Sequence, residues 1–155
     1  MIKFPGLLIS AVFFFMSFHA TGLDVVRANY SKLVSEKELC EKMIADLMET
    51  KNNSATHLAY LGGLQTIWAN HVFNPIGKLN TFKEGKKNIE QAIKKEPDNV
   101  ELRFIRLSVQ KNAPAFLGYN SNINADTEFI KENRHQIESE ILQKNIETLL
   151  KDTKL

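Results

Sequence analysis

Phe82 to Leu107, FKEGKKNIEQAIKKEPDNVELRFIRL, is the stretch that decides the fold. Phe82, Gly85, Ile89, Ala92 and Ile93 recur every three or four residues, and Leu79 extends the stripe upstream. That period predicts a helix from about Lys78 to Lys95 with one apolar face. Pro97-Asp98-Asn99 breaks the pattern, and Asp98 or Asn99 is placed to cap a following helix. From Val100 to Lys111, Val100, Leu102, Phe104, Ile105, Leu107 and Val109 cover well over half the circumference. A helix so broadly apolar belongs in the middle of a bundle.

The same period runs outward in both directions, with strand signals almost absent, so the expected class is all-α. A first helix is expected from about Asp24 to Lys32. The second opens on Ser35 and Glu38, the spacing of a capping box, with Val34 and Leu39 placed as a hydrophobic staple. It ends near Asn52-Asn53. A third, from about Ser54, carries Leu61, Leu64, Trp68 and Val72 on one stripe and Ala59, Gly62 or Gly63, Thr66 and Ala69 on another. Mid-helix glycines cost about 1 kcal/mol each relative to alanine. Close approach of a neighbouring helix backbone is the expected compensation, a hinge the alternative. Asn74-Pro75 imposes a break. Ala113-Pro114 ends the fifth helix, and Gly118 suits a left-handed cap. Phe129 to Leu149 is helical as one element or two, which makes six or seven helices stacked as antiparallel hairpins.

Gly85, Ile89, Ala92 and Pro97, spaced 4, 3 and 5 residues apart, resemble the small, large, small and proline positions in the second helix of a tetratricopeptide repeat. Pro97 to Phe104 is similar to the start of the next repeat in that family. The resemblance covers Phe82 to Leu107 and implies a stack of helical hairpins with a concave, partner-binding face. Trp68 to Lys78 and Asn112 to Tyr119 also resemble segments of small secreted bacterial helical proteins of unknown function, a likeness that implies no activity.

The first 22 residues read differently. Lys3 is their only charge, Leu7 to Phe18 is apolar except for Ser10 and Ser17, and Ala20-Thr21-Gly22 supplies small residues. This is the pattern of a secretory signal cleaved after Gly22 or Ala20. The run is short for a helix needing about 20 apolar residues to span a bilayer, and no later stretch is long enough. The expected product is one helical domain over residues 23–155, periplasmic or extracellular, with no stable membrane span. Cys40, the only cysteine, shares a helix face with Ile44 and Leu47 and is expected to be a buried, inert thiol.

Composition narrows the function classes. The chain has 20 Lys and Arg against 18 Asp and Glu, a formal charge of +2, too small an excess to argue for nucleic acid. His57 and His71 lie about 21 Å apart along a helix, too far to share a metal ion. No HExxH, cysteine cluster, GxSxG elbow or phosphate-cradling glycine loop occurs. No cofactor is implied. An enzyme reading, a small hydrolase, has only the neighbourhood of Trp68, His71, Asn74 and Lys78 to offer.

Charge placement says more. Lys78 to Lys111 carries nine basic and five acidic residues, Glu36 to Glu49 two basic and five acidic. Arg103, Arg106 and Gln110 form a polar stripe opposite the apolar arc of the fifth helix, while Lys78 and Lys86 flank the face of the fourth. With Tyr119 these make the candidate binding residues. Outward guanidinium groups could grip carboxylates in bidentate fashion, so the expected partner is a protein or peptide with acidic groups. Self-association into a homo-oligomer is a further reading. The competing reading places these cations as solvated partners of Glu84, Glu90, Glu96 and Glu101, and Trp68, Phe73 and Tyr119 as core.

Overall fold

A computed structural model of the chain describes residues 22–151. The leader expected over residues 1–22 lies, apart from Gly22, outside them. The described residues form seven α-helices and no strand: α1 Gly22–Asn29, α2 Lys37–Glu49, α3 Ala55–Trp68, α4 Pro75–Lys95, α5 Val100–Asn112, α6 Ile123–Asn133 and α7 Glu140–Lys151. Short 3-10 turns follow α1, α5 and α6. The C-terminal stretch is therefore two helices, parted at Arg134–Gln136.

Local chemistry sets most of the boundaries. Ser54 caps α3 by accepting from the His57 N–H, and Asn99 caps α5 by accepting from the Glu101 N–H. Asn74-Pro75 breaks the chain as expected but then starts α4: Asn74 accepts from the Gly77 N–H, and Pro75 takes the first helical position, where its missing N–H is harmless. Gly118 adopts φ 59° after the turn at Ala115–Leu117. The capping box does not form. Ser35 and Glu36 N–H both donate to the Lys32 carbonyl, and so does the Ser35 hydroxyl. The N-cap of α2 thus falls one residue later than expected, on Glu36, whose side chain makes no capping bond. The staple fails with it, since Val34 is left exposed.

Helices α3 and α4 make the most extensive helix pair, and the reason is the small-residue stripe. A Cβ built at Gly62 would lie 2.6 Å from the Gly85 carbonyl oxygen, and one at Gly85 2.5 Å from that of Gly62. The two backbones touch where neither residue has a side chain. Gly63 faces another way, with Tyr30 and Ile105 each about 3 Å from its missing Cβ. The glycines are thus packing residues rather than a hinge.

Helix α5 is buried nearly end to end and contacts α3, α4, α6 and α7. Its N-terminal turn holds the first of two internal charge networks. Glu101 accepts from Arg27 at 2.6 and 2.8 Å and from the Tyr60 hydroxyl at 2.6 Å, which ties α1 and α3 to α5. Burial and the neighbouring Glu101 push the Tyr60 phenol well above its ordinary range. Between α2 and α3, the His57 ring shares a 2.7 Å hydrogen bond with the Leu47 carbonyl. Cys40 is fully buried beside Leu64, and burial pushes its thiol up to about 11.

Candidate functional site

Of the stripe Arg103, Arg106, Gln110, the last two are buried and only Arg103 keeps part of its side chain in water. Helix α6 lies over the stripe and brings Asp126, itself fully buried, against both arginines. Arg106, 4% exposed, donates from Nε and Nη2 to the two Asp126 oxygens at 2.7 Å each, and from Nη1 to Glu90 at 3.1 Å. Burial works against its charge, but the Asp126 hydrogen bonds and field outweigh it and hold its pKa raised. Arg103 donates to Asp126 and to the Pro97 carbonyl, with its guanidinium 5.1 Å from the Phe129 ring centre.

The remaining members of that set follow the same course. Gln110, 2% exposed, donates to the Asn122 side chain and accepts from the Asn122 N–H. Tyr119 is buried and donates to Glu90 at 2.6 Å; burial first, then Glu90, pushes its phenol upward. The Lys86 ammonium sits 4.7 Å from the Tyr119 ring centre. Five of the six expected binding residues therefore form one assembly, with Arg106, Gln110 and Tyr119 buried and Arg103 and Lys86 half-buried at its edge, that fastens α6 and the segment before it to α4 and α5. The bidentate carboxylate grip exists, but its carboxylate is Asp126. The expectation of outward-facing guanidinium groups is corrected for Arg106, which is buried, while Arg103 is half-buried.

Lys78, the sixth, stands elsewhere. It lines a groove of about 920 Å³ on the other side of α5, between α3, the start of α4 and α7. The floor is buried and mostly apolar: Phe82 from α4, Phe104 and Val109 from α5, Ala69 after α3, and Tyr30. The mouth carries apolar side chains that water reaches: Val34 (55% exposed), Leu79 (40%) and Phe116 (86%). Lys78 and Lys144 are the charged residues of the lining, and no acid is among them. Among the described residues neither lysine is in an ion pair.

Polar groups along the groove divide by depth. Deep in the wall, Thr66 donates to the Gly63 carbonyl at 2.7 Å, and Ser108 bonds both the Ile105 carbonyl and the Tyr30 hydroxyl. Burial raises the Tyr30 phenol to about 12 against the opposing pull of Ser108. Nearer the surface, Asn112 donates to the Ser108 carbonyl, Asn145 to that of Arg27, and Thr148 to that of Lys144. The side chains left without such bonds, Ser31, Asn70, Lys78 and Lys144, are all exposed.

The hydrolase neighbourhood is partly assembled. Trp68 and His71 pack with ring centres 5.5 Å apart, and the buried His71 Nε2 has no hydrogen-bond partner. Among the described residues no hydrogen bond, ion pair or ring contact joins Lys78 to either ring. No group of three or more His, Cys, Asp or Glu is placed to hold a metal ion, and no helix is long and apolar enough to cross a membrane, both among the described residues.

Sequence reasoning missed Lys144, Val34 and Phe116 as site residues. They come from separate elements, so no spacing links them. The available signal was Phe116 itself, an aromatic residue in the connector between Pro114 and Gly118, where nothing adjacent could cover it. No protein-family model matches the chain, and neither a curated protein nor a solved structure matches it.

Proposed function

We infer that the protein is an exported, non-catalytic helical binding module, and that its ligand or partner sits in the groove between α3, α4, α5 and α7. The single observation that carries this reading is the groove: a large concavity with an apolar floor, an exposed apolar mouth and lysines as its charges. Ligand sites typically enclose about 300–1,000 Å³ and combine apolar walls with a few polar groups that orient the ligand. The expected acidic character of the partner keeps its sense here, because the groove's charges are positive. What changes is the seat, from Arg103 and Arg106 to the side of α5 that faces Lys78. Residues Phe82 to Leu107 fit a tetratricopeptide-like hairpin in this reading, and the groove supplies the concave surface such stacks use.

The test is capture with paired variants. Material retained by the purified protein from envelope and culture-fluid extracts of its source is analysed by mass spectrometry for both proteins and small molecules. Leu79→Asp with Phe116→Asp, both at exposed positions, abolishes retention while circular dichroism stays unchanged. Equal retention by this variant overturns the groove as the seat.

A further inference from the structure

Resting on that reading, we propose that the groove holds a single-chain amphipathic carboxylate of the fatty-acid class, its aliphatic tail on the floor and its head group between Lys78 and Lys144 at the mouth. The proposal turns on where the groove can and cannot make hydrogen bonds. Its floor is formed by Phe82, Phe104, Val109, Ala69 and Tyr30, and the polar groups deep in the wall are already engaged: Thr66 and Ser108 donate to the backbone carbonyls of Gly63 and Ile105, and the Tyr30 hydroxyl pairs with Ser108. A ligand portion placed there meets no free donor. A peptide main chain, with an N–H and a C=O at every residue, would leave those groups unsatisfied at a substantial desolvation cost. An alkyl chain has no such groups and fills a continuous apolar volume.

The mouth has the opposite character. Lys78 and Lys144 are exposed, unpaired among the described residues and unopposed by any acid of the lining, in a chain that carries 18 acidic residues. Ser31 and Asn70 add hydroxyl and amide groups at the same exposed level. A head group that accepts hydrogen bonds and bears negative charge fits this rim, and charge-assisted bonds to lysine are the stronger kind. A cationic or zwitterionic head group has no carboxylate partner there. Positive charge at the rim and a donor-free interior together define an anionic amphiphile.

An environment-sensitive fluorescent fatty acid is bound to the purified protein and displaced by four probes: decanoate, palmitate, hexadecanol and an acidic peptide with a Leu-Phe pair. Palmitate displaces the dye best, with affinity rising about two- to fourfold per methylene from decanoate onward, as expected for buried alkyl groups. Lys78→Glu with Lys144→Glu weakens palmitate about tenfold or more and leaves hexadecanol within about twofold, since only the carboxylate loses its partners. Hexadecanol binding with an affinity equal to or above that of palmitate, or the peptide displacing the dye in preference to both, overturns the fatty-acid proposal and leaves the groove as the binding seat. If the dye binds equally to the Leu79→Asp, Phe116→Asp variant, the groove itself is wrong and both readings fall.

Discussion

The two sides of α5 carry similar raw material and end in opposite states. On one side Arg103, Arg106 and Gln110 meet Asp126, Glu90 and Asn122, and their hydrogen bonds are made within the protein. On the other, Phe104 and Val109 line a groove whose lysines have no ion partner among the described residues. Where a polar cluster is internally satisfied, it fixes architecture and has nothing left to offer a ligand. Where an apolar floor stays open and cations stay single, binding remains available. Residue type alone does not separate the cases, because arginine is a better carboxylate receptor than lysine. The separating fact is whether the fold has already supplied the carboxylate.

The largest effect should come from breaking the closed side. Arg106→Leu leaves Asp126 buried with its main partner gone, and removal of one member of such a pair costs about 3–5 kcal/mol. Urea denaturation should show that loss, and Arg106→Met combined with Asp126→Leu should recover much of it, because the buried carboxylate goes with its partner and the half-exposed Arg103 keeps the Pro97 carbonyl. A loss under about 1 kcal/mol in the single variant would mean that Asp126 is solvated.

Next is the seam that supports both sides. Gly85→Ala places a Cβ against the Gly62 carbonyl and the Thr66 backbone, so α3 and α4 must separate. Overpacking of this kind costs about 1–3 kcal/mol, read as a lowered thermal midpoint.

The tyrosines sharpen the comparison at high pH. Tyr30 on the groove side is raised to about 12, and Tyr119 on the closed side is raised as well. An unfolded tyrosine titrates near 10. Above about pH 10 the unfolded chain therefore releases protons that the folded chain retains, so stability is complete below pH 10 and falls as pH rises toward the folded values. Tyr30→Phe or Tyr119→Phe should each flatten part of that alkaline decline in denaturation midpoint. Tyrosinate absorbance appearing at pH 10 while the protein stays folded would contradict it.

The smallest stability effect belongs to the groove mouth. Leu79→Asp with Phe116→Asp should change stability by no more than about 0.5 kcal/mol per site, the usual range for exposed positions. The same pair should remove binding. A large destabilisation would mean that the mouth packs as core.

What the sequence made legible was short-range. The Asn99 cap and the turn at Pro97 depend on neighbours within a turn or two, and the small residues spaced along α3 and α4 announce close packing without naming the helix that meets them. The fate of Arg106 depends on Asp126, 20 residues away on a helix whose docking side no local pattern sets. A polar stripe opposite an apolar arc looks the same whether water or another helix covers it. Ser35 and Glu38 had the right spacing for a box, but the preceding turn drew the Ser35 hydroxyl to the Lys32 carbonyl. The groove was illegible for a related reason: its walls come from segments as distant as Tyr30 and Leu149, each with an ordinary amphipathic pattern.

The most direct test maps where a ligand lands. Backbone amide chemical shifts followed during palmitate titration should move at Thr66 to Asn70, Lys78 to Phe82, Ser108 to Leu117 and Lys144 to Leu149, and stay fixed at Asp126 and Phe129. Shifts centred instead on Arg103, Asn122 and Asp126, with the groove silent, would contradict the assignment of the closed side to architecture and the open side to binding.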